Sequence, residues 1–250
     1  MRWIATTILS VAEMLCGIPS ASARVVTIDD FSQLGTPPTT STNSWNQSGL
    51  TNVHGGVREQ SKTGSASSSW SISPHGLSLT TTSTTSSSWE IWYDGVSAAP
   101  TSTGSFSSFS YPTPGPIDAR GTIRIRVDMD SVAPAGTGTA PNTRPLAIAT
   151  LKWSITPGGS IATSTLAIPL SPGWGSIYWF DFSHFTPTPS LNALQYIRGI
   201  KIRFQGLGAG VTTIRRIVFQ NIPEPSTMIL ATLGLLGIFA HHYRQTRCSP

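Results

Sequence analysis

Apolar and polar residues alternate most regularly over Thr122–Asp130, where isoleucine, valine and methionine take every second position and arginine or aspartate most of the others. A period of two is the spacing of side chains on one face of a β-strand, so this segment predicts a half-buried antiparallel strand with one solvent-exposed face. Ile200–Gln205 repeats the pattern, and Ile214–Gln220 predicts the last strand. Within that last strand, Arg215 and Arg216 break the alternation and predict a bulge or a shift of register.

Seven further segments carry β-branched or aromatic residues between Gly, Pro or Asn signals, which is typical of short strands joined by turns. They are Arg24–Ile28, Ala66–Ile72, Gly76–Thr82, Ser87–Tyr93, Pro145–Trp153, Ile161–Leu170 and Ser176–Phe182. No helical period intervenes, and only Leu191–Tyr196 has room for a helical turn. About ten strands predict an all-β fold, a jelly-roll-like antiparallel β-sandwich.

Serine and threonine are dense between Ser61 and Ser88. Such a composition also fits a glycosylated stalk or a disordered linker. Tryptophans interrupt and follow the run at Trp70, Trp89 and Trp92, and residues of that size need burial. We therefore favour strands and hairpins with hydroxyl-bearing outer faces. With only 11% charged residues, the chain is also unlike a cytoplasmic enzyme or a helical bundle.

The first 23 residues have the layout of a secretory signal peptide. Arg2 gives a positive start, Ile4–Leu15 is mostly apolar, and Ala21–Ser22–Ala23 is a small-x-small cleavage site. We predict a cleaved leader over 1–23 and a mature chain that begins near Arg24. A lipid anchor on Cys16 is the alternative, which the bulky residues before the cysteine disfavour.

The C-terminal segment has three successive parts. Pro223, Glu224 and Pro225 precede Met228–Ala240, thirteen residues without a charge, and basic residues follow. An α-helix over the apolar part covers roughly 20 Å, which is less than a hydrocarbon core of about 30 Å. Its apolar side chains surround the helix axis and leave no polar stripe, which disfavours a buried helix of a globular domain. They include Met228, Leu230, Leu233, Leu235, Leu236, Ile238 and Phe239.

This arrangement resembles the PEP-CTERM sorting domain of exosortase-processed bacterial proteins, over residues 222–247. The resemblance implies that Pro223, Glu224 and Pro225 form the recognition motif, that Met228–Ala240 is a single membrane helix, and that Arg244 with Arg247 is the basic stop signal. It further implies a membrane-anchored precursor, an exosortase-type membrane protease as partner, and delivery to the cell surface or exopolysaccharide matrix. The domains expected are a leader over 1–23, a β-sandwich over 24–221 and a sorting signal over 222–247.

The charge and cysteine content of the mature segment exclude several classes of function. Without Arg2, Arg244, Arg247 and Glu13, 13 basic and 10 acidic residues remain of the 16 and 11 in the chain. A scattered excess of this size is not the basic stripe of a nucleic-acid-binding protein. Both cysteines lie outside residues 24–221, so that segment has no disulfide, cysteine zinc site or thiol nucleophile.

Catalytic residue patterns are also missing. No G-x-S-x-G is present, and the three histidines before the tail are scattered, which disfavours a serine hydrolase. Between the leader and the sorting motif, the only glutamates are Glu59 and Glu90. Glu90 with Asp94 lacks the E-x-D-x-x-E spacing of laminarinase-like sandwich glycosidases, in which paired carboxylates are needed. We therefore expect no enzymatic activity.

Two short segments, Val26–Phe31 and Phe180–Ser183, resemble the first and a late strand of galactose-binding-like jelly-rolls, a fold shared by many carbohydrate-binding modules. The resemblance makes sugar recognition a candidate function. In the same segments, Asp29, Asp30 and Asp181 supply hard oxygen ligands of the kind that calcium uses, so they are candidates for a structural calcium site. No other cofactor is expected.

Tryptophan can fill a core or, when exposed, stack on the apolar face of a sugar. Trp45 and Trp174 are flanked by Asn, Ser or Gly and are the candidates for a sugar platform, whereas Trp153 and Trp179 lie in apolar strands and are expected in the core. The favoured hypothesis is an exported, non-catalytic cell-surface or matrix protein with a structural or adhesive role and polysaccharide contact. An extracellular polysaccharide-active enzyme and a sugar-specific lectin-like module are the alternatives.

Overall fold

A computed structural model of the chain describes residues 24–33, 44–63, 68–73, 76–82, 84–93, 117–137, 144–156 and 159–221. Residues Arg24–Asn221 form one compact unit. The predicted leader and the predicted sorting tail belong to a second unit, Met1–Ala23 with Ile222–Pro250, which lies outside the described residues. Among the described residues, no helix is long and apolar enough to cross a membrane.

Twelve strands make up the described part of the first unit. They are β1 (Val25–Asp29), β2 (Ser44–Gln47), β3 (Arg58–Thr63), β4 (Ser68–Ser73), β5 (Gly76–Thr81), β6 (Ser87–Tyr93), β7 (Arg124–Val132), β8 (Leu146–Trp153), β9 (Ala162–Pro169), β10 (Gly173–Asp181), β11 (Ile197–Leu207) and β12 (Gly210–Gln220). Three single 3₁₀ turns, His54–Gly56, Phe182–His184 and Ala193–Gln195, are the helical elements of the described residues. The last of them falls where a helical turn is predicted.

The strands form two six-stranded antiparallel sheets. In the first sheet the order is β10-β7-β12-β5-β4, and β1 pairs with the C-terminal part of β12. In the second sheet the order is β2-β3-β6-β11-β8-β9. This arrangement confirms the predicted all-β sandwich.

The core lies between the inner faces of the two sheets. In β7 of the first sheet, Ile125 and Val127 are fully buried, as are Ile202 and Phe204 in β11 of the second. Trp89 joins the two sides, because its ring centroid lies 5.5 Å both from that of Trp70 on β4 and from that of Phe204. The period-two segments thus bury their apolar face as predicted, apart from Ile123, which precedes β7 and is 41% exposed.

All ten predicted strands are present, but β2 and β3 are absent from the prediction. Strand β3 reads Arg-Glu-Gln-Ser-Lys-Thr and has no apolar residue to mark a buried face. Even so, Arg58, Glu59 and Gln60 are fully buried. A pattern that equates burial with apolar side chains cannot find such a strand, in which the burial of Arg58 depends on polar partners elsewhere in the chain.

A buried ion pair connects the two sheets. Arg58 on β3 donates from Nε to Asp29 Oδ2 at 2.5 Å and from Nη2 to Asp29 Oδ1 at 2.7 Å, and Asp29 lies at the end of β1. Tyr93 on β6 donates its hydroxyl to Asp29 Oδ2 at 2.8 Å. Both side chains of the pair have no exposed surface. Burial raises the pKa of the Asp29 carboxyl, and the Arg58 guanidinium opposes that rise.

Removing one member of this pair leaves the other as an uncompensated buried charge. We expect Asp29→Asn to lower the free energy of unfolding by about 3–5 kcal/mol, measured by urea denaturation. The double variant Asp29→Leu, Arg58→Met removes both charges and should lose less than Asp29→Asn alone. Equal stability of wild type and Asp29→Asn would contradict this account of the ion pair.

Candidate functional site

The outer face of the first sheet, formed by outward side chains of β10, β7 and β12, concentrates charged and aromatic groups. Register pairs Asp128 of β7 with Ile177 of β10 on one side and with Arg216 of β12 on the other. The inward neighbour Val127 is fully buried, so the apolar alternation of β7 is what turns Asp128 outward. This face combines cations, carboxylates and exposed apolar surface.

Asp128 is the centre of an ionic network on this face. Its Oδ1 accepts from Arg126 Nε at 2.5 Å, and its Oδ2 accepts from Arg216 Nε at 3.1 Å and Nη2 at 2.8 Å. The Asp128 side chain is 14% exposed and that of Arg216 is 42% exposed. The carboxylate is therefore held from both sides, while one of its arginine partners extends toward solvent.

Trp179 of β10 stacks within this network rather than in the core. The guanidinium carbons of Arg124 and Arg126 lie 5.1 and 5.4 Å from its ring centroid, and Arg124 Nε also pairs with Asp181 Oδ1 at 3.0 Å. The prediction that Trp179 is a core residue is wrong, because its register partner is the outward Arg126. Trp153 does pack, half-buried, against the core.

Two β-bulges shape a cavity beside Asp128. Register shifts leave Asp130 as an extra residue on β7 and Arg215 as an extra residue on β12, which confirms the predicted break at Arg215–Arg216. Arg215 Nε lies 3.2 Å from Asp130 Oδ1. The cavity has a volume of about 490 Å³ and is lined by Arg126, Asp128, Met129, Asp130, Gly175, Ser176, Ile177, Arg215 and Arg216.

Gly175 keeps one side of this cavity open. A Cβ atom at this position would lie 3.1 Å from the carbonyl oxygen of Met129, which is tighter than an ordinary contact. A larger residue would therefore crowd the backbone of β7 and occupy part of the cavity. The glycine lets β10 approach β7 without placing a side chain there.

Trp174 extends from β10 next to the cavity and is 95% exposed. It pairs in register with Ser131, which pairs in turn with Thr213 on β12. Hydroxyl groups continue this row, because Ser131 Oγ donates to Thr213 Oγ1 at 3.2 Å and Ser78 Oγ lies 2.7 Å from the same atom. A fully exposed indole beside hydroxyl groups is unusual for a side chain that normally seeks burial.

The second predicted platform residue, Trp45, lies elsewhere. It belongs to β2 of the second sheet, pairs in register with Gln60 and is half-buried against the core. The structure therefore does not bring Trp45 and Trp174 together. The accessible aromatic surface beside the cavity comes from Trp174.

The three carboxylates predicted to bind calcium are separated and have other partners. Asp29 is held by Arg58 and Tyr93, Asp30 Oδ1 accepts from the backbone and hydroxyl of Ser32, and Asp181 pairs with Arg124. Within the part of the chain that the structure describes, no group of three or more His, Cys, Asp or Glu is placed to hold a metal ion. The structure does not bring these three together.

Glu90, the candidate acid of the glycosidase alternative, lies on the outer face of the second sheet. Its Oε1 lies 3.4 Å from Arg203 Nε and 3.9 Å from Lys201 Nζ, and its Oε2 accepts from Trp92 Nε1 at 3.3 Å. Lys201 also lies 4.7 Å from the ring centroid of Trp92. Asp94, its proposed partner, lies outside the described residues. Glu90 thus belongs to an ionic cluster among strand side chains.

Comparison with known protein families identifies the tail. The family model described as the PEP-CTERM protein-sorting motif matches residues 221–245. This match confirms the predicted sorting signal, although the motif, the membrane segment and the basic stop residues all lie outside the described residues. No curated protein matches the chain.

Among solved structures, the body resembles β-sandwich carbohydrate-binding modules. The family 11 module of a cellulosomal cellulase of Clostridium thermocellum is 16% identical, with a TM-score of 0.39 over 78% of this chain and 94% of that one. A module specific for non-crystalline cellulose is 11% identical, with a TM-score of 0.35 over 74% and 94% of the two chains. An agarase is 9% identical, with a TM-score of 0.35 over 79% of this chain and 25% of that one.

The ionic network around Asp128 allows a prediction about the free energy of unfolding. Asp128→Asn leaves two arginines without their shared carboxylate, so we expect a loss of about 1–3 kcal/mol in the free energy of unfolding. Asp181→Asn is the matched control on the same face, because its carboxylate pairs only with Arg124 among the described residues and is 33% exposed. Asp181→Asn should lower the free energy of unfolding by less than Asp128→Asn does. Chemical denaturation of both variants measures the difference, and equal losses would contradict the central role of Asp128.

Proposed function

We propose that this protein is an exported, non-catalytic surface or matrix protein that binds polysaccharide through the outer face of its first sheet. The PEP-CTERM motif indicates an exported precursor, anchored by its C-terminus and processed by an exosortase. The observation that carries the binding proposal is the exposure of Trp174, which is 95% exposed on β10 directly before Gly175, a residue of the cavity lining.

The chemistry of this face suits a sugar. An exposed indole offers a flat apolar surface to the apolar face of a pyranose ring, and removing both surfaces from water is favourable. The neighbouring hydroxyl group of Ser131, with the charged groups around Asp128, can exchange hydrogen bonds with sugar hydroxyls. Trp174 and Ser131 are register partners on neighbouring strands, so a polymer that stacks on the indole can also reach the Ser131 hydroxyl.

The carboxylates of the same face support binding without catalysis. Glycoside hydrolysis needs one carboxyl group that can give up a proton and a second that can act as base or nucleophile. Asp128, Asp130 and Asp181 are each paired with arginine at 3.2 Å or less. Groups held in this way orient arginine side chains, which is the arrangement expected of a recognition surface.

The central prediction concerns Trp174. We expect Trp174→Ala to weaken binding to the polysaccharide that the protein recognises by about tenfold or more, while unfolding free energy changes by less than about 0.5 kcal/mol, because the side chain is exposed. Leu191→Ala is the matched control, since Leu191 is 82% exposed outside the strands. Affinity electrophoresis through a panel of neutral and acidic polysaccharides measures both variants. Unchanged binding by Trp174→Ala would contradict the proposed site.

Processing of the tail is tested separately. We expect the surface form to lack the residues that follow the sorting motif, because the prolines at 223 and 225 keep the motif extended and open to a protease. Intact-mass spectrometry of the surface protein, from cells with and without the sorting protease, measures the C-terminus. A chain that still ends at Pro250 in both would contradict exosortase processing.

A further inference from the structure

We infer that the cavity on the outer face of the first sheet recognises an anionic polysaccharide, one that carries uronate carboxylates, through Arg215 and Arg216. This inference rests on the proposed function and names its ligand class. The cavity is lined by three arginines, Arg126, Arg215 and Arg216, and by two aspartates, Asp128 and Asp130. Its formal charge is therefore positive, and the excess cation is available to a ligand.

Arg215 is the arginine best placed to accept an anion. As the extra residue of the β12 bulge it leaves the regular pairing of the strand, and its side chain is 53% exposed. Its Nε faces Asp130 Oδ1 at 3.2 Å, and its two terminal nitrogens donate no hydrogen bond to the described residues. A guanidinium with two terminal donors in a plane matches the two oxygens of a carboxylate.

Arg216 supplies a second donor beside it. Its Nε and Nη2 donate to Asp128, and Nη1 has no partner within the described residues, although the side chain is 42% exposed. Asp128 thus holds Arg216 in one orientation, so less side-chain entropy is lost when a ligand binds. A cationic ligand is disfavoured, because both aspartates of the cavity already have arginine partners.

The spacing of Trp174 and Arg215 fits successive sugars of one polymer. Trp174 lies on β10 in register with Ser131 and Thr213, and Arg215 follows two residues after Thr213 on β12. Adjacent strands are about 4.8 Å apart, so the two side chains start from strands separated by roughly 10 Å, with the cavity between. One sugar can stack on the indole while the carboxylate of a neighbour reaches the guanidinium.

The experiment compares polymers that differ only in charge. The exported protein is titrated by calorimetry with polygalacturonate and alginate, and with the esterified form of each, whose carboxylates are neutral. We expect the acids to bind about tenfold or more tightly than their esters, since charge-assisted bidentate bonds are lost on esterification. Arg215→Gln should remove most of this preference, and Arg215→Lys should retain part of it, because lysine keeps the charge but not the planar fork.

Arg120→Gln is the charge-matched control. Arg120 is exposed in a turn before β7, is paired with Asp118 and is absent from the cavity lining. A preference that falls equally in Arg120→Gln and Arg215→Gln would reflect net charge alone and would overturn the inference. Equal binding of acids and esters, abolished by Trp174→Ala, would overturn the anionic ligand and leave the proposed function standing. If the protein bound neither these polymers nor any member of a panel of neutral polysaccharides, both the anionic ligand and the proposed function would be overturned.

Discussion

The fold depends on a charge pair that is sealed between its two sheets. Cysteines occur only at positions 16 and 248, so the unit from Arg24 to Asn221 has no covalent cross-link. In place of a cross-link, a bidentate, fully buried contact joins the first sheet to the second. It is formed by Asp29 at the end of β1 and Arg58 on β3. Burial of a lone charge is so costly that each partner requires the other, which makes the pairing specific for this arrangement of β1 and β3.

The same residue types behave differently on the outer face of the first sheet. There, arginine and aspartate remain partly exposed, so their pairing contributes less to stability and leaves donors free for a ligand. Two bulges add a cavity to this face. At Asp130 and Arg215 one extra residue on each strand interrupts the ladder, opens the cavity and directs Arg215 outward. An uninterrupted β12 would have continued its alternation and left no cavity between the two strands.

The local pattern of apolar and polar residues was sufficient to predict a strand wherever that strand buries apolar side chains on one face. It placed β7 and β11 because their alternation matches their burial, and it located the bulge because one of two adjacent arginines in a regular strand would point into the core. It missed β3, whose burial depends on Asp29, twenty-nine residues before Arg58. It also misplaced Trp179, because every residue of Ile177–Phe180 is apolar and only the pairing with Arg126 decides which side faces out.

Affinity at such a face is limited by its shape. A shallow surface with one exposed indole and two guanidinium groups contacts few sugar residues, and each contact must offset the entropy lost by ordering the polymer. Polysaccharides repeat the same unit along one chain, so a protein that leaves one repeat can bind the next before the polymer diffuses away. Several copies fixed at one surface would hold the polymer far more tightly than a single copy. The proposed binding face would therefore gain from the sorting tail, because several copies held at one surface turn a weak site into an effective one.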